Sequence, residues 1–185
     1  MPAPKIRDKK LNTYLEKNPS AHGGSFHATR RGRARARPLC TARSIHLTLR
    51  SSHARGAWSF RQPHHAARIK QLVAKFAQRH SVKVHSLANV GNHLHLHVQL
   101  GRLATYKKFI RALTASIAMA ITGSGKGKPA EQKFWDRRPF TRLVSGLKGY
   151  LRVQDYVQVN NLEGDGIARK TARWIVGWRS RGKTL

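Results

Sequence analysis

From Ser44 onward two hydrophobic rhythms take turns along the chain. Ile45, Leu47 and Leu49 alternate with His46, Thr48 and Arg50, the period of two that a strand needs to set one face on a core. Behind Pro63, the segment from His64 to His80 places Ile69, Leu72, Val73 and Phe76 at helical spacing, and a proline in the first turn costs a helix no hydrogen bond. Val82 to Asn89 predicts a second strand. Leu103 to Thr122 predicts a second helix, apolar at Tyr106, Ile110, Leu113, Ile117 and Ile121. A strand over Phe140 to Val144 and a third helix from about Gly146 to Val159 follow. The order β-α-β-β-α-β-α predicts an α+β domain, a central and largely antiparallel sheet with helices packed on it.

Between the second strand and the second helix, Val90 to Leu100 reads Val-Gly-Asn-His-Leu-His-Leu-His-Val-Gln-Leu. Leu94, Leu96, Val98 and Leu100 should face the core of a half-buried strand, with His93, His95, His97 and Gln99 on the other face. Alternate positions on one face lie about 7 Å apart, from a rise of ~3.3 Å per residue. Two imidazoles at that spacing can converge on one divalent cation. Gly91-Asn92 form the tight link that leads into this strand.

At about 100° per residue, Leu147, Tyr150, Leu151, Val153 and Val157 of the third helix gather on one side, expected to be the core side. Tyr156 falls opposite, with Arg152 one turn before it and Asn160 one turn after. A phenol off the apolar stripe, flanked by a guanidinium and an amide, is arranged for polar chemistry: a nucleophile, a phosphate-binding cation and an oxygen that could reach a metal.

Charge narrows the partners. The chain holds 37 Lys+Arg against 7 Asp+Glu in 185 residues, a formal net charge of +30. Such a surface calls for a polyanion, with nucleic acid ahead of an anionic membrane. The most apolar run, Ala115 to Ile121, is too short to span a bilayer, and no signal-peptide pattern opens the sequence. One cysteine, Cys40, excludes an internal disulfide and a cysteine zinc cage, and a cytoplasmic, nucleoid-associated setting in a bacterium is expected. No acidic residue lies between Lys17 and Ala130, so a two-metal site of the carboxylate type has no ligands there. Residues 1–40 read as a basic tail around Arg30, Arg31, Arg33, Arg35 and Arg37, and such a run repels itself until it meets phosphate. Residues 41–166 form the expected catalytic domain and 167–185 a basic extension, where Trp174 and Trp178, four apart, could cap the core as a short helix. Gly123 to Lys128 lacks the spacing of a phosphate-binding P-loop and reads as a basic loop. With Lys126, Lys128, Arg137 and Arg138, the arginines of the tail are the expected DNA contacts.

Together the histidine strand and the third helix resemble the single-tyrosine HUH transposases of bacterial insertion sequences, especially the REP-associated branch. Gly91-Asn-His-Leu-His95 is similar to that family's His-hydrophobe-His strand behind its turn. Phe134-Trp-Asp-Arg-Arg-Pro-Phe140 is similar to its Trp-x-x-x-Phe segment, and Asp155-Tyr-Val-Gln-Val-Asn-Asn-Leu162 to its catalytic helix, with Asn161 where a proline is usual. The resemblance covers about Ser44 to Gly166. It implies the ferredoxin-like or RRM-like HUH endonuclease fold. It also implies His93, His95 and Asn160 as ligands of Mg²⁺ or Mn²⁺, with Tyr156 as the nucleophile that cuts and rejoins single-stranded DNA through a 5′-phosphotyrosine. His97 extends the pair to a triplet and is, with Arg152, a possible further metal or phosphate contact. The expected partner is hairpin-bearing single-stranded DNA, with no membrane, and the protein would act as a monomer or homodimer. The competing classes are a basic nucleic-acid-binding protein without catalysis, including an inactive domesticated transposase, and a replication-initiation or conjugative enzyme of the same chemistry.

Overall fold

The computed structural model describes residues 22–23, 38–125, 127–129 and 132–181. Its elements in chain order are β1 (His22–Gly23), β2 (Ile45–Arg50), α1 (Pro63–Arg79), β3 (Val82–Asn89), β4 (His93–Leu100), α2 (Tyr106–Thr122), β5 (Phe140–Leu143), α3 (Gly146–Gly164) and α4 (Arg169–Arg181). All strand pairings are antiparallel, and the sheet order is β1-β5-β2-β4-β3. The predicted order from Ser44 to the third helix is the observed one.

Register explains why the sheet has one apolar and one polar face. Ile45, Leu47 and Leu49 lie opposite Val98, Leu96 and Leu94, while His46, Thr48 and Arg50 lie opposite His97, His95 and His93. The apolar set packs under α1 and α2, against Ile69, Leu72, Val73, Phe76, Phe109, Leu113 and Ile117, all buried. Truncating one such leucine to alanine costs about 2–5 kcal/mol. Gly91, at φ +93°, makes the turn from β3 into β4, a conformation a residue with a Cβ adopts at a cost.

Several boundaries differ from the sequence reading. The second helix starts at Tyr106, behind a single 3₁₀ turn at Leu103–Thr105. The third helix runs five residues further than predicted, to Gly164, because no proline or glycine interrupts the chain before that point. The C-terminal segment forms a full helix, α4, rather than a short cap. Trp174 is 63 % exposed and does not cap the core; the side chain of Trp178 lies outside the described residues. His22–Gly23 pairs with Arg142 and Thr141 at the sheet edge, so a piece of the basic segment joins the sheet.

The largest correction concerns the histidine face. It is largely covered: α3 lies across β3 and β4, leaving His95 at 3 % exposure and His97 at 0 %, with His93 and Gln99 half-buried. Nor does α3 present the stripe expected of it. Leu147 is 74 % and Leu151 50 % exposed, whereas Tyr150 and Tyr156 both contact sheet histidines, Val157 is buried and Asn161 Nδ2 donates to Leu87 O of the edge strand at 3.0 Å. Tyr156 therefore faces the sheet and not away from it. The back of α3 is covered in turn, with Val159 buried against Ala172 and Val176 of α4. A helix clasped on two sides has no single apolar stripe, and the stripe rule assumes one covered side.

Candidate active site

β4 supplies the centre of the site. His93 Nδ1 lies 2.6 Å from Asn92 Oδ1. An amide oxygen only accepts, so Nδ1 carries the proton and Nε2 the lone pair, the tautomer a cation requires. His95, two residues on, stacks its ring edge-on to His93 with centroids 4.8 Å apart.

The neighbouring strand adds a third imidazole that sequence reasoning did not single out. His46 Nε2 lies 3.2 Å from His95 Nδ1, and Thr48 Oγ1 lies 3.4 Å from the same nitrogen. Burial holds His46 down to a pKa of about 3, helped by the charges of Arg142 and His97, so it meets His95 as a neutral ring. If His95 donates from Nδ1 to His46, its Nε2 keeps the lone pair, which is how a neighbour selects the tautomer of a ligating histidine. The signal was present in the sequence: His46 sits on the polar face of β2, the strand paired with β4.

Tyr156 closes the group from α3. Its ring meets His95 at 5.2 Å and His46 at 5.6 Å between centroids, nearly perpendicular to both. Among the described residues its hydroxyl takes no hydrogen bond. Asn160, one turn on, is fully buried. Its Nδ2 donates to Tyr156 O at 2.6 Å, and its Oδ1 is buried with no hydrogen-bond partner among the described residues. A buried amide oxygen without a partner costs about 1–3 kcal/mol and is the kind of atom a cation would satisfy. Among the described residues no three His, Cys, Asp or Glu side chains gather as a metal cluster, so a cation here would need that amide beside the two imidazoles.

His97 belongs elsewhere. Its Nε2 pairs with Ser44 Oγ at 2.7 Å, and its ring packs on His85 at 4.9 Å and Tyr150 at 4.7 Å. A bulge between Val84 and Ser86 re-aims His85, a known use of such irregularities. Tyr150 Oη accepts from Gln154 Nε2 at 3.0 Å and is hydrogen-bonded to His85 Nδ1, 3.2 Å away. Burial, with the charge of His85, lowers His97 to about 4; burial first and Lys83 second lower His85.

Of the expected phosphate contacts, Arg152 is exposed and lines a cleft of about 260 Å³ beside Tyr156. Lys128 and Arg138 are exposed and Arg137 half-buried; the structure does not bring them to Tyr156 by any described contact. Arg30, Arg31, Arg33, Arg35, Arg37 and Lys126 lie outside the described residues. The Phe134-Trp135-Asp136 segment is structural. Phe134 is buried against Phe60, Trp135 Nε1 donates to Thr114 O at 2.9 Å, and Asp136 Oδ1 accepts from Ser52 N at 2.6 Å. No described helix is long and apolar enough to cross a membrane.

The chain is similar in fold to a REP-associated tyrosine transposase solved bound to a REP hairpin, at 13 % identity and a TM-score of 0.57, over 71 % of this chain and 74 % of that one. A candidate transposase from Deinococcus radiodurans R1 also matches, at 14 % identity and a TM-score of 0.44, over 70 % of this chain and 95 % of its own. No curated protein matches. The family described as transposase IS200 like matches residues 42–160, from just before β2 through Asn160. That match takes in the histidine strand and the tyrosine helix in a single span, and the chain belongs to the IS200-like transposase family.

Proposed function

We infer that this transposase cuts and rejoins single-stranded DNA with Tyr156 as nucleophile. The observation that carries the reading is the meeting of Tyr156 with His95 and His46, its hydroxyl uncommitted among the described residues. The phenol oxygen would attack the scissile phosphorus while the bond from phosphorus to the 3′ oxygen breaks. The phenol loses a proton and the departing oxygen gains one, leaving a 5′-phosphotyrosine and a free 3′-hydroxyl. Attack by that hydroxyl, or another, reverses the step without hydrolysis.

His93, His95 and Asn160 would hold Mg²⁺ or Mn²⁺, a set of two neutral imidazoles and one buried amide oxygen that suits such ions. A divalent ion there supplies Lewis-acid polarisation of the phosphate. Asn92 fixes the tautomer of His93, His46 would fix that of His95 by accepting from its Nδ1, and Asn160 Nδ2, tied to Tyr156 O, fixes the amide. Support for a DNA partner comes from the +30 charge and from the hairpin on the transposase of similar fold. Most affinity is expected from Lys and Arg, including Arg30, Arg31, Arg33, Arg35, Arg37, Lys126, Lys128, Arg137 and Arg138. The domain boundaries that go with this reading are a basic segment over 1–40, the catalytic domain over 41–166 and a basic extension over 167–185.

The test incubates the protein with labelled hairpin-bearing single strands from its own genomic flanks and Mn²⁺, then looks for a covalent adduct on a denaturing gel. An adduct with wild type and none with Tyr156→Phe is expected. An adduct formed equally by Tyr156→Phe overturns the assignment.

A further inference from the structure

Tyr156 has a second side, turned to α4 and not to the sheet. There α3 and α4 flank an open cleft of about 260 Å³ lined by Arg152, Asp155, Tyr156, Val159, Arg169 and Arg173, with Val176 and Gly177 completing it. α4 lies wholly beyond the segment matched by the family.

Three features of the wall point to an anionic occupant. Arg169 is neutralised by an ion pair with Glu163, but among the described residues neither Arg152 nor Arg173 forms an ion pair, and both are exposed. Among the described residues Asp155 is the one carboxylate lining the cleft, so the described set retains excess positive charge. Gly177 stands inside α4, where glycine costs about 1 kcal/mol against alanine, and a Cβ built on it would meet nothing within 4 Å. Packing therefore does not demand a glycine there; the space it leaves opens into the cleft. The floor of Val159, Val176 and the Tyr156 ring is apolar, and the volume is small for a ligand site, suited to one nucleotide and not to a duplex.

We propose that this cleft is a backbone-phosphate subsite, in which Arg152 and Arg173 grip a phosphate of single-stranded DNA adjacent to the one Tyr156 attacks. The proposal rests on Tyr156 being the nucleophile. Guanidinium pairs are the side chains best matched to phosphate oxygens, and a second phosphate held beside the nucleophile would place the scissile one against it. Binding to the arginine wall would thus be felt in affinity, and through alignment in cleavage.

The experiment measures binding of a fluorescent oligothymidylate over a range of salt concentrations, which needs no cleavage and so stands apart from the adduct test of Tyr156. Arg152→Gln/Arg173→Gln should lower the log–log salt slope by about 1.4, two single-strand contacts at ~0.7 each. Lys107→Gln/Lys108→Gln, on exposed positions of α2, removes the same charge elsewhere and should change the slope by less than half as much. Gly177→Leu, which adds bulk but no charge and should favour the helix, should weaken binding at least threefold with the melting temperature unchanged or raised. An equal slope change in the α2 variant, or undiminished binding with Gly177→Leu, overturns the proposal. So does saturation of the cleft by free thymidine 5′-monophosphate or inorganic phosphate as tightly as by the oligonucleotide, because the site would then take a free anion and not a strand.

Discussion

α3 sets two tyrosines against the histidine face of the sheet, and the two phenols differ in what they are committed to. Tyr150 is hydrogen-bonded to His85 Nδ1, accepts from Gln154 and packs on His97. Tyr156 touches His46 and His95 through its ring and lines the arginine cleft, its hydroxyl uncommitted among the described residues. Nearness to an imidazole is common to both and so identifies neither. A phenol already held by two partners is suited to be a strut, while one beside a space whose arginines lack ion pairs among the described residues is open to a ligand.

The comparison breaks most sharply at the hydroxyls. Tyr156→Phe should reduce adduct formation to background, whereas Tyr150→Phe should keep it within a few-fold of wild type on the same denaturing gel. The cost of Tyr150→Phe should appear in stability, about 1–3 kcal/mol by denaturant titration, because His85 Nδ1 loses its hydrogen-bond partner in a partly buried setting. The opposite pattern would make Tyr150 the nucleophile.

Next come the histidines. His93→Ala and His95→Ala should each abolish cleavage while leaving oligonucleotide affinity within about twofold, since affinity is carried by Lys and Arg. His97→Ala should leave cleavage measurable and lower stability, because it removes a fully buried ring together with the partner of Ser44. Complete loss for His97 with activity retained for His93 would move the ligand pair by two residues.

A smaller effect is expected from acid. In the fold His46 is held down to about 3 and His97 to about 4, against an ordinary 6.5, by burial above all. The unfolded chain therefore binds more protons than the folded one below about pH 6.5, and stability present above that value is lost as pH falls toward 4. The slope contributed by each group reaches at most about 1.4 kcal/mol per pH unit. His97→Leu should remove one group's share from the dependence measured by denaturant titration at successive pH values. A pH-independent stability over that range would mean that the two rings protonate inside the fold.

Least should follow from removing Met1 to Arg37. Among the described residues this deletes the His22–Gly23 pairing at the sheet edge, and the melting temperature should drop by a few degrees at most. DNA affinity should fall with a flatter salt slope, and the adduct should still form at saturating DNA. Loss of folding would show that more of the segment packs on the domain than that edge pair.

Residues read in the sequence reach the site unequally. His93, His95, Tyr156 and Asn160 were legible because the alternation of β4 and the Tyr-x-x-x-Asn spacing of α3 are local patterns. His46 was visible only as a polar position of β2, since the bond to His95 Nδ1 depends on pairing between strands 49 residues apart. His85 was not legible at all, because a bulge decides where it points.

By itself the sequence determined the strands and helices from β2 to α3, the α+β class and the run of motifs similar to those of tyrosine transposases, because each is carried by local periodicity or local spacing. Only the tertiary structure decided which side of α3 meets the sheet, that the histidine face is largely buried, that the Tyr150 hydroxyl is bound and the Tyr156 hydroxyl is not among the described residues, and that α4 walls a basic cleft beside it. A periodicity says which residues share a face. What covers that face is settled by elements far away in the chain, and here a helix clasped between a sheet and another helix keeps polar groups inward and leaves Leu147 and Leu151 in water.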